Sequence, residues 1–165
     1  MLTEILPQIY ERDLATLKNE VEKYSNAADL WVVDGDIANS AGNLTLHIVG
    51  NLQHFIGGVL GGSGYVRDRD REFSDRDVPR EELVASIDET RKAPRETFAK
   101  LTDEDMAGDY PIEVFGEPMT TGYFLVHLAT HLNYHLGQVN YHRRILAKRL
   151  KGERTEEIHI SRPRK

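Results

Sequence analysis

From Phe124 onward, steps of four and three residues give Phe124, Leu128, His131, His135, Gln138, His142 and Ile145. Such spacing is one stripe of an α-helix, here apolar at both ends and polar in the middle. A neighbouring stripe of Leu125, Ala129, Leu132, Leu136, Val139 and Leu146 is apolar throughout. A helix this long with one continuous apolar face has to pack against other helices, so its histidines lie beside or within the buried face. Buried polar groups left without partners cost about 1–3 kcal/mol each. The sequence therefore predicts a helical bundle in which something satisfies a row of imidazoles.

The rest of the chain supplies partners for that helix. In the first helix, about Thr3 to Tyr24, residues Tyr10, Leu14, Leu17, Val21 and Tyr24 share one face. After a turn signal at Asp34-Gly35, with Asn39, Ser40 or Asn43 as candidate caps, a second helix is expected from about Asn43 to Leu60. Its apolar face is Leu44, Ile48, Leu52, Phe55 and Val59, and Gly61-Gly62-Ser63-Gly64 ends it. The charged run Arg67–Asp77 reads as a solvated or lid-like loop. Pro79 suits the first turn of a third helix, whose stripe of Leu83, Ile87, Pro94, Phe98 and Leu101 keeps helical spacing through the proline. One kinked helix is expected there. Thr102–Pro118 reads as a connection, with a small hairpin arm around Ile112–Phe115. Thr120 or Thr121 caps the fourth helix, expected to end near Lys148 with Gly152 as terminator. An all-α four-helix bundle over residues 1–152 follows, with 153–165 as a C-terminal tail.

With 165 residues the chain can bury a real core as one domain. It has no cysteine, so neither disulfides nor a protein thiolate are available, and thiol chemistry would need an exogenous thiol. A net charge of −6 argues against nucleic acid as the main partner. The Arg143-Arg144 and Lys148-Arg149 cations suit the last turns of a helix. No basic-then-apolar leader and no membrane-length apolar run is visible, so a cytoplasmic protein without membrane association is expected. The glycine run at 61–64 lacks the Gly-Lys-Ser/Thr ending of a phosphate loop.

Histidines four residues apart on a helix have Cβ atoms about 5–6 Å apart and can reach one ion. His131 with His135 satisfies this, and so does His127 with His131. The second helix carries its own polar stripe of His47, Asn51 and His54. A third imidazole from a facing helix would complete a three-nitrogen site with open positions, the pattern of catalytic metals. A hydrogen-bonded histidine network without metal is the competing reading of the same spacing.

The run His131-Leu132-Asn133-Tyr134-His135-Leu136-Gly137-Gln138 matches the H-x3-H-x-G-Q pattern of the DinB/YfiT-like superfamily, and Leu46–Leu52 resembles its second-helix histidine segment. Arg67–Phe73 resembles a charged loop of one branch of that superfamily. The resemblance implies an up-up-down-down bundle, usually a homodimer, with a divalent transition metal on one histidine of the second helix and two of the fourth. On this chain those are His47, His131 and His135. His127 becomes a neighbour, and His54 and His142 fall outside the set. Some members are metal-dependent hydrolases, and others use a low-molecular-weight thiol to transfer or isomerise small electrophiles.

The functional expectation is a metal-dependent enzyme acting on a small molecule, a thiol-using transferase or a hydrolase, with zinc or nickel as the metal. The alternatives are a non-catalytic bundle that binds metal or a small ligand, and a structural dimer without metal. Asn51, Gln138, His127 and Tyr134 are candidates to support the ligands or contact substrate, with Tyr123 a further pocket candidate. No carboxylate lies in register with the histidines on the fourth helix, so no general base is identifiable.

Overall fold

The computed structural model describes the backbone of residues 1–160 and the side chains of residues 1–147. Helix α1 is Leu2–Glu22 and buries Leu6, Tyr10, Leu14, Leu17 and Val21 along one face. A 3-10 turn over Ala27–Trp31 follows, capped by Asn26, whose side chain accepts from the Ala28 N–H. Helix α2 is Ala41–Leu52; Ser40 caps it by accepting from the Asn43 N–H, so the helix begins two residues before the expected start. It continues as π-helical turns over Gln53–Leu60. Glycines at 57, 58 and 61 ease that wider winding, which ends with the Gly61 N–H donating to the Ile56 carbonyl at 2.9 Å.

The charged run is not simply a loop. It contains helix α3, Arg69–Ser74, capped by Asp68 accepting from the Arg71 N–H. The expected kinked third helix is α4, Arg80–Thr90, followed after a single turn residue by α5, Lys92–Phe98. Pro94 has no N–H to give the Thr90 carbonyl, and the break falls one turn ahead of it, at Arg91. The expected connection after Leu101 contains helix α6, Asp103–Ala107, opened by a capping box between Thr102 and Asp105. The arm that follows is closed by one antiparallel bridge between Asp109 and Thr120, not by the paired strands of a hairpin.

Helix α7 is Thr121–Ile160, with the Thr120 hydroxyl accepting from the Tyr123 N–H. It runs through Gly152, where an end was expected, because one glycine weakens a helix without stopping it. The tail assigned to 153–165 therefore begins as helix, and residues 161–165 lie outside the described residues. Among the described residues no helix is long and apolar enough to cross a membrane.

Cross-chain contacts fix the directions. The Tyr10 hydroxyl donates to the Leu125 carbonyl at 2.6 Å and the Tyr24 hydroxyl to the Val139 carbonyl at 3.3 Å, so α1 and α7 run parallel. Lys18 pairs with Asp88 and Glu11 with Arg91, which sets α4 and α5 antiparallel to α1. Thr97 donates to the Ile56 carbonyl, while Asn43 donates to the carbonyls of Glu72 and Asp75 just before α4, so α2 and α4–α5 descend together. Around the bundle, the helices α1, α7, α2 and α4–α5 point up, up, down, down; along the chain the order is up, down, down, up. Burying one large apolar side chain contributes about 1.5–3 kcal/mol. The seam of Leu14, Leu17 and Val21 with Leu125, Leu128 and Val139 belongs to a single core. That core holds α7 rigidly against its neighbours, with the histidine stripe turned toward α2.

Candidate metal centre

His47 sits mid-way along α2, opposite His131 and His135 on antiparallel α7. Their rings converge edge to face: His47 lies 5.1 Å from His131 and 5.3 Å from His135 by centroid, and His131 lies 4.5 Å from His135. The His131 Nε2 stands 3.4 Å from His47 Nε2 and 3.1 Å from His135 Nε2. One ligand atom from each of the three falls within 4.8 Å of the others. Nitrogens held tetrahedrally at about 2.0–2.1 Å from zinc stand about 3.3–3.4 Å apart, so the observed separations fit a shared ion.

Protonation agrees with that fit. Burial, with His135, His47, His127 and Arg67 close by, pushes the His131 pKa down to about 4. Burial also lowers His135, against a hydrogen bond with Gln138 that works the other way. Neutral imidazoles offer lone pairs, the form a metal takes. His135 Nδ1 is 2.7 Å from the Gln138 amide oxygen, which leaves its Nε2 facing the cluster.

The other side of His47 meets a carboxylate. Its Nδ1 is 2.9 Å from Glu72 Oε2, and Arg67 grips both oxygens of that carboxylate, Nε to Oε1 at 2.7 Å and Nη2 to Oε2 at 2.8 Å. Glu72 is only 6% exposed. Burial alone would raise its pKa, but the hydrogen bonds from His47 and Arg67 and the Arg67 charge outweigh it and hold the group below its ordinary value. Phe73, next in α3, packs on the His47 ring at 4.9 Å. The Arg67 guanidinium lies over the Phe55 ring at 5.5 Å.

A groove of about 550 Å³ opens beside the cluster. Its walls are residues 36–39, Leu44 of α2, and α7 from Tyr134 to Ile145, with His135 and Gln138 at the end nearest the other two histidines.

Residues 8–164 match a protein family described as "Protein of unknown function (DUF1572)". The chain belongs to the DUF1572 family. The crystal structure of a DinB-like protein from Bacillus cereus ATCC 10987 is similar to it at a TM-score of 0.68 and 20% identity, covering 89% of this chain and 95% of that one. At that identity the likeness is one of fold, and it establishes the DUF1572 chain as a DinB-like four-helix bundle. No curated protein matches it.

This DUF1572 chain brings together His47, His131 and His135, the three histidines named by the sequence motif. Gln138, a candidate to support a ligand or contact substrate, lies on the Nδ1 of His135. His127 is set apart: its ring stacks on Phe124 at 5.9 Å, meets Phe115 edge-on at 5.0 Å, and is 6.1 Å from His131. Tyr134 contacts the His135 ring at 5.2 Å and lines the groove, while 65% exposed Tyr134 and 64% exposed Tyr123 differ in that Tyr123 does not reach the groove. Asn51 is buried, and its Oδ1 has no hydrogen-bond partner among the described residues. His54 lies in the π-turn against Phe55, and His142 is buried on Tyr24.

The sequence reading missed Glu72 and Arg67 in the DUF1572 chain. Looking for a carboxylate only on the fourth helix left out the charged run, whose alternating signs imitate a solvated loop. Two signals were present: Asp68 in capping position before Arg71, and Gly50 on α2, where the absence of a side chain gives Glu72 room to approach.

Proposed function

We propose that the protein holds one divalent transition metal, zinc or nickel, on the Nε2 atoms of His47, His131 and His135, and acts as a metal-dependent enzyme on a small molecule in the adjoining groove. The observation that carries this reading is the convergence of three imidazole nitrogens at the spacing of metal ligands, with no fourth His, Cys, Asp or Glu joining the group among the described residues. Three protein ligands with an open position are the arrangement of catalytic rather than structural sites. When bound, such an ion would acidify a coordinated water or thiol and polarise an electrophile.

The groove is the size of a small-ligand site, about 300–1,000 Å³. Ile37, Leu44, Tyr134, Tyr141 and Ile145 give it apolar walls, and among the described residues Asp36 is the one charged side chain lining it. That lining suits a neutral or cationic molecule with an apolar body, its reacting end beside His135 and Gln138. Between the two reaction types, a thiol-using transferase fits better than a hydrolase. Both Glu72 oxygens are engaged by His47 and Arg67, which leaves that carboxylate unsuited to taking a proton from water. With no cysteine in the chain, the thiol would be a low-molecular-weight cosubstrate.

The test is turnover of a panel of apolar electrophiles and esters by zinc- or nickel-loaded protein, with and without added low-molecular-weight thiols. Turnover that requires thiol supports the transferase. Turnover without thiol assigns a hydrolase instead. Retained metal with no turnover of either class would replace the enzyme with a non-catalytic binding bundle.

A further inference from the structure

Among the described residues the carboxylate on His47 has no counterpart on the other two histidines, and its surroundings are built to keep it there. The Glu72 backbone carbonyl, and that of Asp75, accept from the buried Asn43 side chain at 3.0 Å each, tying both ends of α3's second half to the start of α2. Asn43 is itself fixed through the Ser40 hydroxyl at 2.7 Å. Gly50 clears the path: a Cβ there would run into Glu72 Oε1 and stand 2.8 Å from Glu72 Cδ. Arg67 then takes both carboxylate oxygens, its Nη2 also standing 3.4 Å from His47 Nδ1.

We infer that Glu72, held by Arg67, is the positioning residue of the metal centre: it fixes His47 as the tautomer with hydrogen on Nδ1, leaving a bare Nε2 lone pair aimed at His131 and His135. This rests on the metal reading above and adds to it the group that prepares the α2 ligand. An ionised carboxylate only accepts, so the 2.9 Å contact requires the hydrogen on Nδ1. A ring free to choose would put hydrogen on Nε2 instead, where His131 Nε2 at 3.4 Å would accept it and the site would close on itself without an ion. The carboxylate rules out His47 as the donor in that contact. It also raises the basicity of the ring, as carboxylate partners of metal-bound histidines do. Phe73 against the ring face limits its rotation.

The experiment uses metal-free full-length protein with ¹⁵N-labelled histidine. Long-range ¹⁵N–¹H spectra report the tautomer of His47, and chelator competition reports zinc affinity, for wild type, Glu72→Gln and Glu72→Ala. Circular dichroism checks that each variant keeps the fold. The expected result is the Nδ1–H form in wild type, a mixture or the Nε2–H form in Glu72→Ala, and zinc affinity lower by about 10–100-fold in that variant. Glu72→Gln, which keeps an oxygen for the Nδ1–H but loses the charge, should fall between. His47 in the Nε2–H form in wild type would overturn the inference without reference to any variant, and so would a folded Glu72→Ala with wild-type zinc affinity. A wild-type chain that takes up no zinc would instead overturn the metal reading, an outcome told apart because no variant would then bind zinc either.

Discussion

His142 lies two turns beyond His135 on the same helix, yet its ring serves the fold. Its Nδ1 is 2.7 Å from the Tyr24 hydroxyl and its Nε2 is 2.9 Å from the Val32 carbonyl, so it pins the segment after the 3-10 turn onto α7 and closes one wall of the groove. Replacing it with alanine should leave metal content intact and lower stability by about 1–3 kcal/mol, because the buried Tyr24 hydroxyl keeps only its longer bond to the Val139 carbonyl and the half-buried Val32 carbonyl loses its donor; metal analysis and thermal melts would check both halves. The same substitution at His131 should do the reverse and remove most metal affinity. Protons should compete at the cluster too. His131 drops from 6.5 to about 4 in the folded chain. The unfolded chain therefore binds more protons between those values, and the metal-free protein should lose stability as pH falls from about 6.5 toward about 4. The lowered carboxylates, Glu11, Glu20, Glu72, Asp88 and Asp105, act only below their ordinary values of 4.5 and 3.8, while the lowered His135 and His54 add to the slope that His131 sets. Urea melts of metal-free protein across that range should show the upper part of the slope flatten in His131→Gln, and an unchanged slope would contradict the assignment. At this scale the converging histidines were legible, since periodicity put His131 and His135 on one face and the resemblance added His47. Glu72 was not, because its burial depends on Gly50 and Asn43 in another element.

The long elements followed from their apolar spacing, and the short ones did not. Helices α3 and α6 have six and five residues, too few for a period to emerge. Their caps, Asp68 and Thr102, were the only local marks they carried. The π-helical end of α2 was equally hidden, since the apolar face through Phe55 and Val59 reads as ordinary helix. Gly50 offers the sharpest test of how α2 and α3 fit. Alanine for glycine inside a helix normally stabilises by about 0.5–1 kcal/mol. Here the added methyl meets the Glu72 carboxylate, which cannot move without leaving Arg67 and His47. Gly50→Ala should therefore destabilise the protein and weaken zinc binding, although position 50 touches no metal ligand through its own side chain. A stabilised variant with unchanged zinc affinity would show that α3 is free to give way.

As a whole the molecule is a packed helical frame with its histidine cluster displaced to one side. Salt bridges Lys18–Asp88 and Glu20–Arg143 and the core between them fix α1 against its neighbours, while the histidine cluster and groove occupy the α2–α7 side. Helix α7 exposes Tyr123 and Val126 as well as the groove residues Tyr134, Tyr141 and Ile145, an apolar surface of the kind that marks contact sites. A twofold homodimer is the assembly we propose, and light scattering at tens of micromolar should return twice the chain mass of 18.8 kDa; the mass of a single chain would contradict it. The central claim is the metal. Elemental analysis of protein loaded with zinc or nickel and then dialysed free of excess, with His131→Ala treated alongside, tests it most directly. The expected result is about one ion per wild-type chain and almost none in the variant, as three ligands on one ion require. A wild-type chain that retains no metal, or a variant that retains as much as wild type, would contradict it.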